Sequence, residues 1–212
     1  EGDNHERIAL SVEPLGMIRT GLMPGSLTVD DVFRVMALGQ GYDGKAGYPL
    51  VAFYLTGTEI RSLFEVETTL ALQKTDARLQ ISGMRFSYRK DAPPFQRVQD
   101  VDVENETGTF SPLAGNRLYR ICTNLNMFLM RDFLRQASGG QISYVPKDGK
   151  GVPVTDLLSL VAHSRSSPRL TEVKEWVALA MYLQSMQTAG AVEPGMLSGT
   201  YREPQQRIFI TS

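Results

Sequence analysis

The sequence predicts an α+β fold in which a mixed or antiparallel sheet packs with helices. Residues 50–55 form a continuous apolar run, which is typical of a strand covered on both faces. Residues 58–72 place apolar side chains on one helical stripe, and residues 98–103 alternate between apolar and polar as a half-exposed strand does. Both kinds of element therefore contribute to the fold.

Composition limits the number of domains and the classes of function. The chain has 212 residues, of which 42% are hydrophobic, and we expect a single domain over residues 1–212. A formal net charge of -1 without clustered Lys and Arg argues against binding to nucleic acid or to an anionic membrane surface. The sequence also lacks a run of about 18 apolar residues that could span a bilayer.

A short strand, a short helix and the apolar strand come first along the chain. Residues 8–12 predict a strand that is interrupted at Pro14. Thr28 precedes a helix that runs through Phe33, and its hydroxyl can accept a hydrogen bond from a backbone N–H of the first turn. The run at 50–55 is predicted to be a central strand of the sheet.

The next segments predict one helix followed by three strands. Thr56 begins a capping box, a pairing of side chains with backbone N–H groups, for a helix over 58–72. Residues 79–88 predict a strand in which Gly83 marks a bulge or a close approach of two backbones. Turn residues follow this strand, and it is predicted to form an antiparallel meander with the strands at 98–103 and 118–123.

The last part of the chain predicts a helical insertion over about residues 126–165 and a C-terminal helix and tail over 171–212. Met127, Met130 and Phe133 lie at helical spacing, which predicts core positions in preference to cofactor contacts. Further elements are predicted as helices at 155–163 and 171–187 and as a closing strand at 208–210.

Residues for metal or nucleophilic chemistry are sparse. His5 and His163 are the only two histidines, and no His-x-x-x-His or Cys-x-x-Cys pattern supplies the ligands that a transition metal requires. The serine nucleophile elbow Gly-x-Ser-x-Gly is also missing. The single cysteine, Cys122, has apolar neighbours that predict a small core residue. We therefore predict no catalytic residue and no metal ligand in this chain.

A glycine-rich segment from Gly39 to Gly44 matches the dinucleotide pattern Gly-x-Gly-x-x-Gly by letter. A dinucleotide turn runs directly into a helix, whereas this loop runs into the strand at 50–55, so the pattern does not indicate a dinucleotide site. Two interpretations stay open, a loop that wraps a ligand or partner surface and a plain connecting loop.

Arg19 lies between Gly16 and Gly21, just after the first predicted strand. Glycines on both sides allow the backbone to approach a ligand closely and the guanidinium to be presented rigidly. The alternative for Arg19 is an ordinary surface ion pair. Several other arginines are scattered over different predicted elements and are expected on solvated faces: Arg34, Arg85, Arg97 and Arg131.

Five motifs in order resemble the C-terminal domain of 5′-nucleotidases. GMIRTG, GSLTVDDVFRV and LTGTEI resemble that domain's G-x-I-R-x-G, G-x-L-T-x-x-D-V-F-x-V and L-T-G-x-E-I. LQISGMRFSY and LYRICTN resemble two of its strands. The resemblance covers residues 8–124 and implies the α+β fold of that domain.

The resemblance also implies a second domain. Family members are similar in having an N-terminal two-metal phosphoesterase domain, which hydrolyses the substrate, and a C-terminal domain, which holds the nucleoside. The expected partners are thus the N-terminal metallophosphoesterase domain of the same polypeptide and a nucleotide or related small phosphate ester. No cofactor is expected in this chain itself, which alone should not hydrolyse anything. By the same resemblance, the location is extracytoplasmic, either periplasmic or secreted to the cell surface.

Five residues receive substrate-binding roles from the resemblance. Arg19 matches the family arginine that contacts substrate, and Gly39 and Gln40 stand where the family often has Gly-Asn. Arg78 occupies the first position of an aromatic pair that clamps the base, and an arginine can stack on a base with its planar face. Asn124 closes the strand before the substrate loop.

The chain departs from the family after Asn126. The motif that carries the second aromatic ring is replaced by MRDFLRQASGG. Our main hypothesis is the substrate-recognition domain of an exported 5′-nucleotidase-type metallophosphoesterase that hydrolyses nucleotide phosphate esters. The alternative is a non-catalytic interaction or scaffold domain that has lost nucleotide binding and uses the helices after Asn126. A free-standing hydrolase is the third hypothesis and would require activity from this chain alone.

Overall fold

A computed structural model describes residues 7–164, 171–188 and 203–211, which form two compact units. The sheet unit comprises residues 7–16, 51–161 and 207–211 of the described ranges. The loop unit comprises the remaining described residues, from 17–50 and from 162–206. The single domain expected over residues 1–212 stays a prediction, and His5 and the tail at 189–202 lie outside the described residues.

The described chain contains both strands and helices. The strands are β1 (Leu10–Pro14), β2 (Leu50–Thr56), β3 (Leu79–Ser82), β4 (Met84–Arg89), β5 (Val98–Glu104), β6 (Phe110–Pro112), β7 (Leu118–Asn124), β8 (His163–Ser164), β9 (Thr171–Glu172) and β10 (Ile208–Thr211). The α-helices are α1 (Val29–Val35), α2 (Gly57–Glu65), α3 (Leu125–Leu129), α4 (Arg131–Ala137) and α5 (Glu175–Thr188). Mixed sheets with several helices confirm the predicted α+β class.

One sheet of four strands has the order β2-β7-β1-β3, in which β1 is parallel to β7 and antiparallel to β3. The prediction that β2 is a central strand was wrong, because β2 is the end strand of this order. Its outer edge is covered by isolated bridges from Val51 to Val161 and from Tyr54 to Lys147. Residues far along the chain therefore give β2 the burial that its apolar sequence requires.

The second four-stranded sheet has the order β10-β4-β5-β6. The segment predicted as one strand divides at Gly83 into β3 and β4, which belong to different sheets. Gly83 has a φ of 82°, and a Cβ there would lie 2.4 Å from the carbonyl oxygen of Ala9, which confirms the predicted close approach of backbones. The predicted three-strand meander was wrong, because β7 belongs to the first sheet and β6 pairs with β5. The closing strand is confirmed as β10, parallel to β4.

The predicted cap at Thr28 and the predicted capping box at Thr56 are both present, and the cap at Thr28 is itself a capping box. Thr28 accepts a hydrogen bond from the backbone N–H of Asp31 at the start of α1. Thr56 accepts one from the backbone N–H of Glu59 at the start of α2, and the Glu59 carboxylate accepts in return from the Thr56 backbone N–H. The predicted helix over 58–72 is α2, which continues into a π-helical turn (Val66–Leu70).

The predicted helical insertion has two short helices and a loop. Met127 is buried as predicted, but Met130 and Phe133 are 38% and 53% exposed, so their prediction as core residues was wrong. Both face away from the sheet unit's core because α3 and α4 are separate short helices, which breaks the predicted stripe. The predicted helix at 155–163 is a 3-10 turn (Leu157–Leu160) followed by β8, and Cys122 is half-buried on β7.

The loop unit contains α1, the β8–β9 pair and α5. The predicted helix at 171–187 begins later, as α5, because Thr171–Glu172 forms β9. Phe33 of α1 and Trp176 of α5 make an edge-to-face ring contact with centroids 5.6 Å apart. In the described ranges, none of the helices is long and apolar enough to cross a membrane.

Candidate functional site

The five residues assigned to substrate binding fall into both units. Arg19, Gly39 and Gln40 lie in the loop unit, whereas Arg78 and Asn124 lie in the sheet unit. Their substrate-binding roles stay predictions, and their local geometry shows which side chains are available for a ligand.

Arg19 follows a 3-10 turn (Leu15–Met17), and its side chain is exposed. Its backbone N–H donates a 2.8 Å hydrogen bond to the carbonyl oxygen of Val35, the last residue of α1. This bond fixes the main chain while the guanidinium reaches the surface. Arg19 therefore combines an anchored backbone with an accessible cationic fork, which suits recognition of a phosphate or carboxylate.

Gly39 and Gln40 have structural partners within the glycine loop. A Cβ at Gly39, whose φ is 78°, would lie 2.3 Å from the Tyr48 ring, so the ring packs directly on the glycine backbone. The Gln40 side-chain amide donates a 2.5 Å hydrogen bond to the carbonyl oxygen of Gly44. These contacts lie within the glycine loop and hold it closed. They give both Gly39 and Gln40 a structural role.

A buried lysine holds the same loop. Lys174, whose side chain is 3% exposed, lies 2.7 Å from the Asp43 carboxylate and 2.5 Å from that of Glu172. Burial acts to raise the pKa of Asp43, but the hydrogen bond and charge of Lys174 outweigh it and the pKa is lowered. The lowered pKa keeps the Asp43 carboxylate ionised near neutral pH, and its contact with Lys174 holds the glycine loop.

Arg78 is exposed at the end of a 3-10 turn (Thr75–Ala77), and its backbone is held on both sides. Its carbonyl oxygen accepts a 2.7 Å hydrogen bond from the N–H of Leu15. The next N–H, that of Leu79, donates a 2.7 Å hydrogen bond to the Glu67 carboxylate. A planar guanidinium on such a fixed backbone is suited to stacking on an aromatic ligand.

Glu67 is a candidate positioning residue that the sequence reasoning missed. It is 7% exposed and lies on the π-helical turn, a geometry that occurs frequently at functional sites. Burial raises the pKa of its carboxyl above the usual range, although the Leu79 hydrogen bond and the Arg78 charge act in the opposite direction. The only sequence signal was an acidic residue on an otherwise apolar helical face.

Asn124 is fully buried, with 0% of its surface exposed. Its side-chain oxygen accepts a 2.7 Å hydrogen bond from the N–H of Met127 and caps α3, while its side-chain nitrogen donates to the Glu13 carboxylate. Glu13 lies on β1, the parallel neighbour of β7. In this structure Asn124 therefore joins two strand ends and a helix start, and its contact with a substrate remains a prediction.

The assigned positions carry two guanidinium groups, those of Arg19 and Arg78, and two side-chain amides, those of Gln40 and Asn124. Among residues 7–164, 171–188 and 203–211, no three side chains of His, Cys, Asp or Glu are grouped so that they could hold a metal ion. His163, predicted at a helix end, is instead exposed on β8. Guanidinium groups on fixed backbones can bind and orient an anion or a base.

The two mixed sheets with their helices define the α+β class of the chain, and comparison with known proteins defines its family. The model of the family described as "5'-nucleotidase, C-terminal domain" matches residues 5–133. This match covers more than half of the chain, so the chain belongs to the 5′-nucleotidase C-terminal domain family.

Curated relatives carry nucleotidase names. The 5′-nucleotidase of Diplobatis ommata is 29% identical over 103 residues, which is 47% of this chain and 16% of that protein. The trifunctional nucleotide phosphoesterase protein YfkN of Bacillus subtilis (strain 168) is 27% identical over 109 residues, 51% of this chain and 7% of that protein. The chain thus matches less than a fifth of the length of each relative.

Solved structures support the fold. The 5′-nucleotidase precursor from Thermus thermophilus is similar with a TM-score of 0.58 and 21% identity, over 96% of this chain and 31% of that one. The NAD nucleotidase NadN of Haemophilus influenzae is similar with a TM-score of 0.60 and 16% identity, over 97% of this chain and 30% of that one. At these identities the likeness concerns the fold alone, and it extends well beyond residue 133.

Proposed function

We propose that this chain is the substrate-recognition domain of a two-domain metallophosphoesterase of the 5′-nucleotidase type. The observation that carries the proposal is Arg19, an exposed arginine on an anchored backbone inside the segment that the family model matches. The names of the curated relatives, a 5′-nucleotidase and a nucleotide phosphoesterase, support a nucleotide or a related phosphate ester as the ligand.

In this proposal the chain supplies binding energy and orientation. Arg19 contacts an anionic group of the substrate, and Arg78 stacks its guanidinium on the base. Glu67 holds the Arg78–Leu79 backbone through its hydrogen bond to Leu79. The two metal ions belong to an N-terminal domain of the longer polypeptide, where they would activate a hydroxide and stabilise the charge on phosphorus. Holding the ester in one orientation lowers the entropic part of the barrier.

The location proposed for the longer protein is extracytoplasmic. One structural neighbour, from Thermus thermophilus, is described as a precursor, a word used for chains that are processed after synthesis. Expression of the longer gene product with compartment fractionation tests this proposal, which requires the protein outside the cytoplasm.

Steady-state kinetics of the longer polypeptide with AMP test the role of Arg19. Loss of one charge-assisted hydrogen bond costs about 1.5–3 kcal/mol, so Arg19→Ala should lower kcat/KM by about 10–100-fold. Arg34→Ala is the matched control, because Arg34 is an exposed arginine of the same unit that pairs with Asp30. Equal kcat/KM values for the two variants would refute the assignment.

A second function is favoured by one observation. Three large apolar side chains on α3, on α4 and between them are exposed: Leu129, Met130 and Phe133. An exposed apolar surface on the helices after Asn126 suits an interaction or scaffold domain that has lost nucleotide binding. Hydrogen exchange distinguishes the two functions, since a docked partner would protect amides at 129–136 whereas AMP would protect amides next to Arg19.

A further inference from the structure

A polar groove lies in the sheet unit. Its volume is about 520 Å³, and its wall includes Arg7, Arg117, Arg120 and Tyr119. A groove of this volume is large enough for a small organic ligand, since such pockets measure about 300–1,000 Å³. Leu118 in the wall is the first residue of β7, whereas Asn124 is the last, which separates the two by about 20 Å at the usual rise of a strand.

The charge of the groove favours an anion. Three arginines line it together with two glutamates, Glu104 and Glu106. The Glu104 carboxylate pairs at 2.8 Å with Arg207, which lies outside the lining, and its carbonyl oxygen accepts a 2.5 Å hydrogen bond from Arg7. Because Arg207 offsets the charge of Glu104, the lining has an excess of positive charge.

Arg117 is fixed in place although its side chain is exposed. Its carbonyl oxygen accepts a 3.1 Å hydrogen bond from the N–H of Gly57, and its own N–H donates to the carbonyl oxygen of Ala114 at 3.3 Å. The Tyr119 hydroxyl accepts from the N–H of Ala114 at 2.9 Å, and the Arg117 guanidinium lies 5.4 Å from the Tyr119 ring centroid. The turn thus holds the backbone of Arg117, and the guanidinium extends from it beside the Tyr119 ring.

We propose that this groove is a second ligand site, which binds a small oxyanion carrying two negative charges, as in a phosphate monoester or a dicarboxylate. The Arg117 fork provides two parallel N–H donors that match the oxygens of a phosphate or carboxylate. Arg7 in the same groove wall adds a second cation, and Ser111 in that wall adds a hydroxyl that can donate or accept. The site is independent of Arg19 and of the nucleotide role proposed above.

Nuclear magnetic resonance titration of the 212-residue chain tests the proposal, with inorganic phosphate and succinate as separate probes at constant ionic strength. We expect saturable shifts of the Ser111 and Leu118 amides. Arg117→Ala should weaken binding about tenfold, the effect of losing one charge-assisted contact worth about 1.4 kcal/mol. Arg89→Ala is the matched control, because Arg89 is exposed in the same unit and pairs with Asp91.

Each result of the titration either supports or overturns the proposal. Saturable binding of both probes supports a general oxyanion site, and binding of phosphate alone supports a phosphate ester. Shifts that do not saturate, or equal weakening in Arg117→Ala and Arg89→Ala, overturn the proposal. Arg117→Lys keeps the charge without the fork, so it should retain more affinity than Arg117→Ala and provides a second test.

Discussion

The close contact with the Tyr48 ring requires a glycine at position 39. With its φ of 78° and a Cβ position 2.3 Å from the ring, Gly39→Ala adds left-handed strain and displaces Tyr48. The expected loss in the free energy of unfolding is about 1–3 kcal/mol, measured by urea denaturation. Gly21→Ala is the control, because no atom lies within 4 Å of its Cβ position, and it should change stability by less than about 0.5 kcal/mol. Equal losses would contradict this account of the loop.

Lys174 stabilises the glycine loop through its ion pairs with Asp43 and Glu172. Lys174→Met removes the cation from two carboxylates, those of Asp43 and Glu172, and leaves them close together with little solvent. Breaking a buried pair in this way costs about 3–5 kcal/mol of unfolding free energy. The exposed pair of Arg34 and Asp30 provides a control, because Arg34→Met should cost less than about 1 kcal/mol. Urea denaturation of both variants checks the difference, and similar values would show that the cluster does not hold the loop.

At the scale of elements, Glu59 joins α2 to the loop after α4. Its carboxylate lies 2.6 Å from the Lys147 ammonium and accepts from the N–H of Val145 at 3.0 Å. Burial acts to raise the pKa of Glu59, but the hydrogen bonds from Lys147, Val145 and Thr56 outweigh it, so the pKa is lowered. The carboxylate thus stabilises the fold above its unfolded pKa of about 4.3 and loses this effect as pH falls through the folded pKa.

The variant Glu59→Gln isolates this effect. At pH 7 it should lower the free energy of unfolding by about 2 kcal/mol, because a hydrogen bond to a charged group is lost. The difference should shrink as pH falls below the unfolded pKa of about 4.3 and through the lowered pKa of the folded state. Urea denaturation at pH 7 and pH 3.5 checks both values, and a constant difference would contradict the ion-pair account.

For Glu67, on the π-helical turn, we expect the opposite dependence of stability on pH from that of Glu59. Burial raises the pKa of this carboxyl, so the folded state binds its proton more tightly than the unfolded chain does. The ionised group is therefore a cost at neutral pH, and that cost disappears as pH falls through the folded pKa. Glu67→Gln, which keeps an acceptor for the Leu79 N–H, should be more stable than wild type at pH 7 and lose this advantage at pH 4. If the free energies of unfolding of wild type and Glu67→Gln depended on pH in the same way, the account of a buried charge at Glu67 would be refuted.

Helix caps and the close approach at Gly83 were predicted correctly from the sequence, whereas the core positions of Met130 and Phe133 and the long-range strand pairing were not. The caps at Thr28 and Thr56 and the backbone approach at Gly83 depend on neighbouring residues or on a missing Cβ, which the sequence shows directly. The edge position of β2 depends on Val161 and Lys147, which lie far along the chain. No local pattern contains that information, and the three-residue strand β6 is too short to give a periodic signal.

The candidate site shows the same difference between what the sequence indicates and what long-range contacts determine. The resemblance assigned Arg19 and Arg78 to substrate binding, which stays a prediction, and both residues are exposed on fixed backbones. Burial of Lys174 was not predictable, because its partner Asp43 is 131 positions away. Glu67 was missed because its function as a positioning residue depends on Leu79, which the helix geometry brings to its carboxylate.

At the scale of the whole molecule, the structural relatives are longer than this chain, which matches only a part of each of them. It spans 31% of the Thermus thermophilus structure and 30% of the Haemophilus influenzae one. The proposal therefore divides the work: this domain supplies recognition, and the remainder of the longer polypeptide supplies the metals and the chemistry. Under this proposal, substitutions in this domain act first on the binding of the nucleotide.

Calorimetric titration of the longer polypeptide with AMP tests the central claim, that this domain recognises the nucleotide through Arg19. Wild type, Arg19→Ala and Arg34→Ala are compared under one set of conditions. The account predicts that Arg19→Ala weakens binding by about 10–100-fold, while Arg34→Ala binds as the wild type does. An unchanged dissociation constant for Arg19→Ala would contradict the account.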